Sequence, residues 1–323
     1  MFKIKPIIWF LGLILCLAGS VAGAAQEVWL SDFAGARELA GKENKFLLID
    51  FTGSDWCSWC KKLDQEVFSQ DIFLKESAKN FVLVKLDFPQ QSQLGEKLTQ
   101  QNQALSKTYE ISGFPSIILA DAAGVEFART GYQPGGPEAY LALLEGFVEN
   151  FRRSLQLQSE AAALTGVAKA EKLDQAVALL VQNGSRSGYQ SLADEIISLD
   201  GDGRAGLRPK YELPRKLNEI EGRLNQDKDF DRAVADLDQL ALSAAMVPSL
   251  LQQVYLFQAG VLIKGKGDKR GGLEKLVLAQ KSAPETKAGQ QLVKFIERLQ
   301  EETEAVPGAV RNHEAPAAAA GAQ

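Results

Sequence analysis

Cys57 and Cys60 in DFTGSDWCSWCKK (residues 50–62) are the side chains whose type and spacing most directly offer chemistry. Two thiols separated by two residues can hold half of a metal site, close a disulfide, or exchange one. A purely structural staple is a poor reason for the pair, because the loop it closes is too short to constrain much unfolded-chain entropy. A zinc site needs about four ligands, usually cysteine or histidine. Apart from Cys16 near the N-terminus, the chain offers these two cysteines and one histidine, His313. Zinc therefore requires a site shared between two copies, and no metal or other cofactor is expected.

Redox work gains from the surroundings. FLLIDF (46–51) reads as a buried strand, Thr52 to Trp56 as a turn, and Cys57 falls at the start of a helix that carries Lys61, Leu63 and Val67. Unpaired backbone N–H groups and the helix dipole stabilise an anion there, so the Cys57 thiolate is expected to form at a lower pH than a free thiol. Cys60 follows on the same face about one turn deeper, placed to attack a mixed disulfide at Cys57. Cys57 begins the exchange and Cys60 resolves it. No histidine lies between the cysteines, where Ser58 and Trp59 stand, so a strongly oxidising pair is not favoured; Lys61 and Lys62 push the other way, and Asp55 opposes them.

The flanking elements alternate. A helix over 32–45 precedes FLLIDF, and KKLDQEVFS with QDIFLKESAKN supplies helix before the second buried strand, FVLVKLDF. LGEKLTQQNQALSKTYE is helical, ISGFPSIILAD joins a Gly-Phe-Pro turn to a third strand, and GVEFART forms a fourth through a short hairpin. GGPEAYLALLEGFVENF is a closing helix with Pro137 in its first turn. This order implies a mixed sheet with helices on both faces.

On these residues the segment 27–150 resembles the thioredoxin-like superfamily, most closely its secreted and periplasmic members, including the C-terminal periplasmic domain of the disulfide reductant transporter. The matching stretches are LLIDFTGSDWCSWCKK, KLDQEVFS, GFPSIILADAAG and the late TGY. The resemblance implies that Cys57 and Cys60 form a redox-active disulfide and that Pro115 is a cis-proline beside it. It also implies that the Phe114 backbone bonds a substrate peptide, that Trp56 packs beside the nucleophile, and that Asp50 is the buried acid that takes a proton from the resolving thiol. A carboxylate inside an apolar strand is costly unless used or paired, which agrees with a role for Asp50. The Asp50-to-Cys57 segment is one residue longer than in plain thioredoxins, which bears on its reach to Cys60.

Beyond about Arg152 strand signals fade and helical periodicity takes over. KLDQAVALL (172–180) and DFDRAVADL (229–237) share an apolar-Asp-x-Ala-Val-Ala-x-Leu pattern and suggest stacked helical hairpins. This half is similar to tetratricopeptide-type repeats, without their fixed period or tryptophan signature. The fold expected is an α/β thioredoxin domain followed by an all-α, tetratricopeptide-like helical-hairpin domain. LDGDGRAGL (199–207) resembles a calcium loop at Asp200 and Asp202, but Arg204 and Tyr211 occupy its fifth and twelfth positions, so it reads as a link between helices.

Lys3 and Lys5 precede the apolar run from Ile7 to Ala18, which ends in small residues, the order of a secretory signal peptide. An uncleaved membrane anchor is the alternative, since roughly 20 apolar residues span a bilayer. The domains expected are a signal peptide over 1–24, a thioredoxin-like domain over 25–150, a helical domain over 151–301 and a disordered tail over 302–323. Loss of the two lysines takes the net charge from −5 to −7. Charges of both signs are interspersed, which argues against nucleic acid as a partner.

The expected activity is thiol–disulfide exchange with protein thiols and disulfides in the periplasm or outside the cell, reductase- or isomerase-like rather than oxidising, with a redox partner that the sequence does not name. The rival expectation is a non-enzymatic scaffold that binds proteins through its helical half. A membrane contact follows only if the N-terminal segment stays uncleaved.

Overall fold

The computed structural model describes residues 28–242 and 247–304. The expected signal peptide, Cys16, His313 and most of the expected tail lie outside them.

Five strands form one sheet in the order β1 (Trp29–Leu30), β3 (Phe81–Asp87), β2 (Phe46–Thr52), β4 (Ser116–Ala120), β5 (Glu126–Thr130). The first three strands run parallel, and β4 and β5 complete the sheet antiparallel. β2 and β3 are buried on both faces and read accordingly as continuous apolar runs. β1 escapes a sequence reading because two residues carry no period.

Alternation along β2 divides the core in two. Leu47, Ile49 and Phe51 pack with Val82, Val84 and Ile118 against Ala36 and Ala40 of α1 (Phe33–Glu43) and against Tyr109, which follows α4 (Glu96–Thr108). Leu48, Leu83 and Ile117 face the opposite way. They meet Leu63 of α2 (Ser58–Leu63), Val67 and Phe68 of the π-helical turn that continues it (Asp64–Phe68), Phe73 of α3 (Asp71–Ser77), and Tyr140 and Leu144 of α5 (Gly136–Ala161). Asp50 lies two residues from Leu48 and so belongs to that second face, beneath the helix carrying the cysteines.

The remaining helices are α6 (Gly166–Gln182), α7 (Gln190–Leu199), α8 (Leu207–Asp227), α9 (Phe230–Ala241), α10 (Pro248–Gly260), α11 (Lys269–Ser282) and α12 (Lys287–Glu304). From α5 onward each packs on its successor. The boundary expected at 150 falls inside α5 rather than in a linker. Its buried stripe runs without interruption from Tyr140, Leu144, Val148 and Phe151, which face the sheet, to Ser154, Leu157 and Ala161, and Ser154 Oγ donates to the Ala176 carbonyl of α6. One helix thus serves both cores. α12 likewise runs past the expected tail boundary to Glu304.

A second connection is not legible in the sequence. Residues 183–188, between α6 and α7, lie along the outer edge of β5: Arg129 N–H donates to the Asn183 carbonyl (2.9 Å), and Asn183 Nδ2 donates to the carbonyls of Phe127 and Phe147. The buried Glu126 carboxylate accepts from Arg129 Nε (2.9 Å) and Ser187 Oγ (2.8 Å). Gly188 passes so close that a Cβ would lie 1.5 Å from the Glu126 carbonyl oxygen. The strand edge, otherwise open to pairing, is covered by the chain's own helical half.

Asp200 is buried and turned inward, where its carboxylate accepts from the N–H groups of Ala205, Leu207 and Arg208 at the start of α8. LDGDGRAGL is therefore a helix-capping link. Among the described residues no cluster of three or more His, Cys, Asp or Glu side chains could hold a metal ion.

Candidate active site

β2 ends at Thr52 and delivers the chain into a tight turn, with the Trp56 and Cys57 N–H groups donating to the Gly53 carbonyl. Glycine at 53 lets the Trp56 indole lie over the turn, since a Cβ there would come within 2.5 Å of the ring and displace it. Cys57 is the N-cap of α2, and its Sγ accepts from the Cys60 backbone N–H at 3.2 Å. The π-helical turn extends the helical run to Phe68, so its N-terminal dipole and this directed N–H both act on the sulfur. Cys57 and Cys60 are joined by a disulfide (S–S 2.14 Å, Cα–Cα 5.3 Å) and are 6% and 4% exposed, so attack is confined to a narrow opening.

Two aromatic groups flank the pair. Trp56, 39% exposed, meets Phe114 edge-on (5.6 Å between centroids) and donates from Nε1 to the Phe88 carbonyl (2.8 Å). Phe114 and Pro115 are joined by a cis peptide bond just before β4. Trp59, 53% exposed, packs on Tyr132 (5.0 Å), whose hydroxyl donates to Glu66, and the Lys62 ammonium lies over both rings. Trp56, next to Cys57 in the chain, thus meets Phe114 and through it the Pro115 turn, while Trp59, next to Cys60, meets Tyr132, which sequence reasoning left unassigned although it ends the TGY stretch.

The local charges have specific partners. Lys61 Nζ donates to the Asp55 carbonyl (2.7 Å), and the Asp55 carboxylate accepts from the backbone N–H groups of Gln90, Gln91 and Ser92, which hold it below the usual carboxylate range. Both groups keep their charge but are held in fixed positions by neutral backbone partners.

Asp50 is buried, and its Oδ1 has no hydrogen-bond partner. Burial pushes its pKa up to about 7; Lys85, its register neighbour on β3, opposes the rise, and the carboxylates of Asp64 and Asp87 add to it. Lys85 itself pairs with Asp64 (3.0 Å). The buried Tyr140 hydroxyl is raised well above its ordinary value by burial and by the Asp50 charge, which sets Tyr140 against the same pocket of the core.

A thioredoxin-like domain family matches residues 33–147. The disulfide bond reductase DsbH of Chlamydia pneumoniae is 35% identical over 119 residues, covering 37% of this chain and 72% of that protein. The thioredoxin-related protein DsbJ of the same species is 32% identical over 104 residues, covering 32% of this chain and 30% of its own. Protein disulfide-isomerase 1 of Caenorhabditis elegans is 27% identical over 109 residues, covering 34% and 20%. This chain therefore spans less than a third of the last two. A solved DsbH oxidoreductase is 34% identical, covering 38% of this chain and 83% of that one, with a TM-score of 0.36. With a CxxC disulfide at the head of α2, a cis Phe114–Pro115 bond before β4, and most of the reductase's length matched, the chain belongs to the thioredoxin-like family.

Proposed function

We propose that this chain is a thiol–disulfide oxidoreductase of the bacterial cell envelope that reduces or reshuffles disulfides in proteins. The observation that carries the reading is the backbone N–H of Cys60 directed at Cys57 Sγ, which favours a sulfur anion at residue 57 with a second sulfur one turn away. In the reducing direction the Cys57 thiolate attacks one sulfur of a partner disulfide and expels the other as a thiolate. Cys60, once deprotonated, attacks Cys57, closing the internal disulfide and releasing the second partner thiol. Two electrons pass to the partner, and an external dithiol restores the enzyme.

Asp50 takes the Cys60 proton in this scheme. It shares the sheet face beneath α2, and a group pushed up to about 7 can accept and return a proton at neutral pH. Trp56 and the Phe114–Pro115 turn form the rim on which the partner segment lies.

The reducing direction is supported by the lack of an imidazole between the cysteines and by the name of the Chlamydia pneumoniae relative, a disulfide bond reductase. The envelope location rests on the signal-like N-terminal segment. No helix among the described residues is long and apolar enough to cross a membrane. The helical array, fixed to β5 by the 183–188 segment, presents protein partners to the disulfide in one orientation.

Trapping tests the activity. In Cys60→Ser the mixed disulfide at Cys57 cannot resolve, so disulfide-linked adducts with a model protein disulfide such as insulin accumulate and disappear on adding dithiothreitol. An equilibrium potential below about −200 mV against glutathione supports the reducing direction, and one near that of strong oxidants overturns it.

A further inference from the structure

The turn that precedes Cys57 is bonded residue by residue to the connection between β3 and α4. Ser54 donates from N and Oγ to the Asp87 carboxylate (2.9 and 2.6 Å). The Asp55 carboxylate accepts from three consecutive amides, those of Gln90 (3.0 Å), Gln91 (2.6 Å) and Ser92 (3.2 Å). Trp56 Nε1 donates to the Phe88 carbonyl. A surface loop needs no such anchoring to cross from a strand to a helix, and one carboxylate spent on three amides holds a single backbone course.

That course borders an open cavity of about 320 Å³ walled by Phe88, Pro89 and Leu94, with Ser92 and Thr99 among its polar members. Its only ionisable lining side chain is Asp87, whose two oxygens each accept one bond from the neutral Ser54 and keep their negative charge. An acidic side chain entering would meet that charge, whereas an apolar or amide side chain would lose little. Phe88 also belongs to the aromatic wall beside the cysteines, since its ring lies 5.2 Å from that of Phe114. The cavity thus shares one wall, Phe88, with the aromatic group around Trp56 and Phe114.

We propose that the 88–95 connection is a specificity element: its cavity receives an apolar or amide side chain, and rejects an acidic one, from the protein segment whose sulfur reacts at Cys57, and Asp55 is the positioning residue that builds it. This rests on the exchange activity proposed above.

The test uses the full chain, reduced by dithiothreitol, and octapeptides whose single cysteine is a mixed disulfide with 2-mercaptoethanol. Glutamine, leucine, glutamate and lysine are placed in turn at each of three positions on either side of the cysteine. Cys57 and Cys60 end as a disulfide, the peptide and 2-mercaptoethanol leave as thiols, and dithiothreitol supplies the two electrons. At one position glutamine and leucine are expected to exceed glutamate in kcat/KM by about tenfold, with lysine, which the Asp87 carboxylate can accept, above glutamate as well. Gln93→Trp and Thr99→Trp, which fill the cavity from the loop and from α4, are each expected to bring that ratio close to one. Asp55→Ala is expected to lower it by raising KM for the neutral peptides rather than by lowering kcat. Equal kcat/KM for all four residues at every position, or a ratio that survives both fillings, overturns the proposal. Failure of the unaltered protein to reduce 2-hydroxyethyl disulfide as well as every peptide counts against exchange activity itself, and so separates the two readings.

Discussion

The N–H of Cys60 points at Sγ of Cys57 across 3.2 Å, so the sulfur that begins the exchange is held by the backbone of the residue that ends it. In the reduced protein this bond strengthens when Cys57 is a thiolate. Iodoacetamide is therefore expected to alkylate Cys57 with a midpoint clearly below the free-thiol value of about 8.5, while Cys60 stays protected. Equal reactivity of both thiols, with a midpoint at the free-thiol value, would remove the basis for assigning Cys57 as nucleophile.

Asp50 makes the stability of the oxidised protein depend on pH. Its folded pKa of about 7 stands above an unfolded value of about 3.9. The proton bound in the folded state favours folding fully below the lower value, and that contribution is lost as pH rises through the upper one. Across roughly three pH units the effect is on the order of 4 kcal/mol. The Asp50 contribution to the wild-type thermal unfolding midpoint should decline between about pH 4 and pH 7, and Asp50→Asn should remove that decline. Parallel curves for the two proteins would mean that Asp50 does not titrate there.

The contact between β5 and the 183–188 segment is expected to be the weak point for separating the two halves. Glu126→Ala leaves the Arg129 guanidinium buried without its carboxylate and should cost about 3–5 kcal/mol. Gly188→Ala forces a Cβ into the Glu126 carbonyl and should cost about 1–3 kcal/mol. Both variants should be cut faster by protease within 183–190 than the wild type. Wild-type protection in both would show that the segment does not hold the edge.

Asp200→Ala strips the acceptor from three N–H groups at the head of α8 and should destabilise the helical half by about 1–3 kcal/mol, read as a lower urea midpoint. An unchanged midpoint would mean that water replaces the carboxylate without loss.

Much of the site is written in local sequence. The run FLLIDF must be a buried strand because its residues have no polar face, and Cys57 must follow a turn because Gly53 to Trp56 cannot extend it. The C-x-x-C spacing alone places both sulfurs on one helical face. The helical half is legible for the same reason, since Leu173, Ala176, Val177 and Leu180 repeat at the helical period and all prove buried. α5, in contrast, runs through the boundary expected at 150, because its apolar stripe changes partner without changing period.

What the tertiary structure alone decided concerns groups distant in sequence. Asp50 acquires its pKa from burial and from Lys85 and Asp64, brought beside it by strand register and by the turn after α2. Asp55 and Lys61 read as charges near a thiol, yet one is spent on amides more than thirty residues away and the other on a backbone carbonyl. The covering of β5 by residues 183–188 depends on hydrogen bonds between chain segments about sixty residues apart, and no local pattern encodes such a pairing. Periodicity reports which face of an element is apolar. Which polar group meets which is settled only when the elements pack, because a charge takes its energy from whatever surrounds it in space.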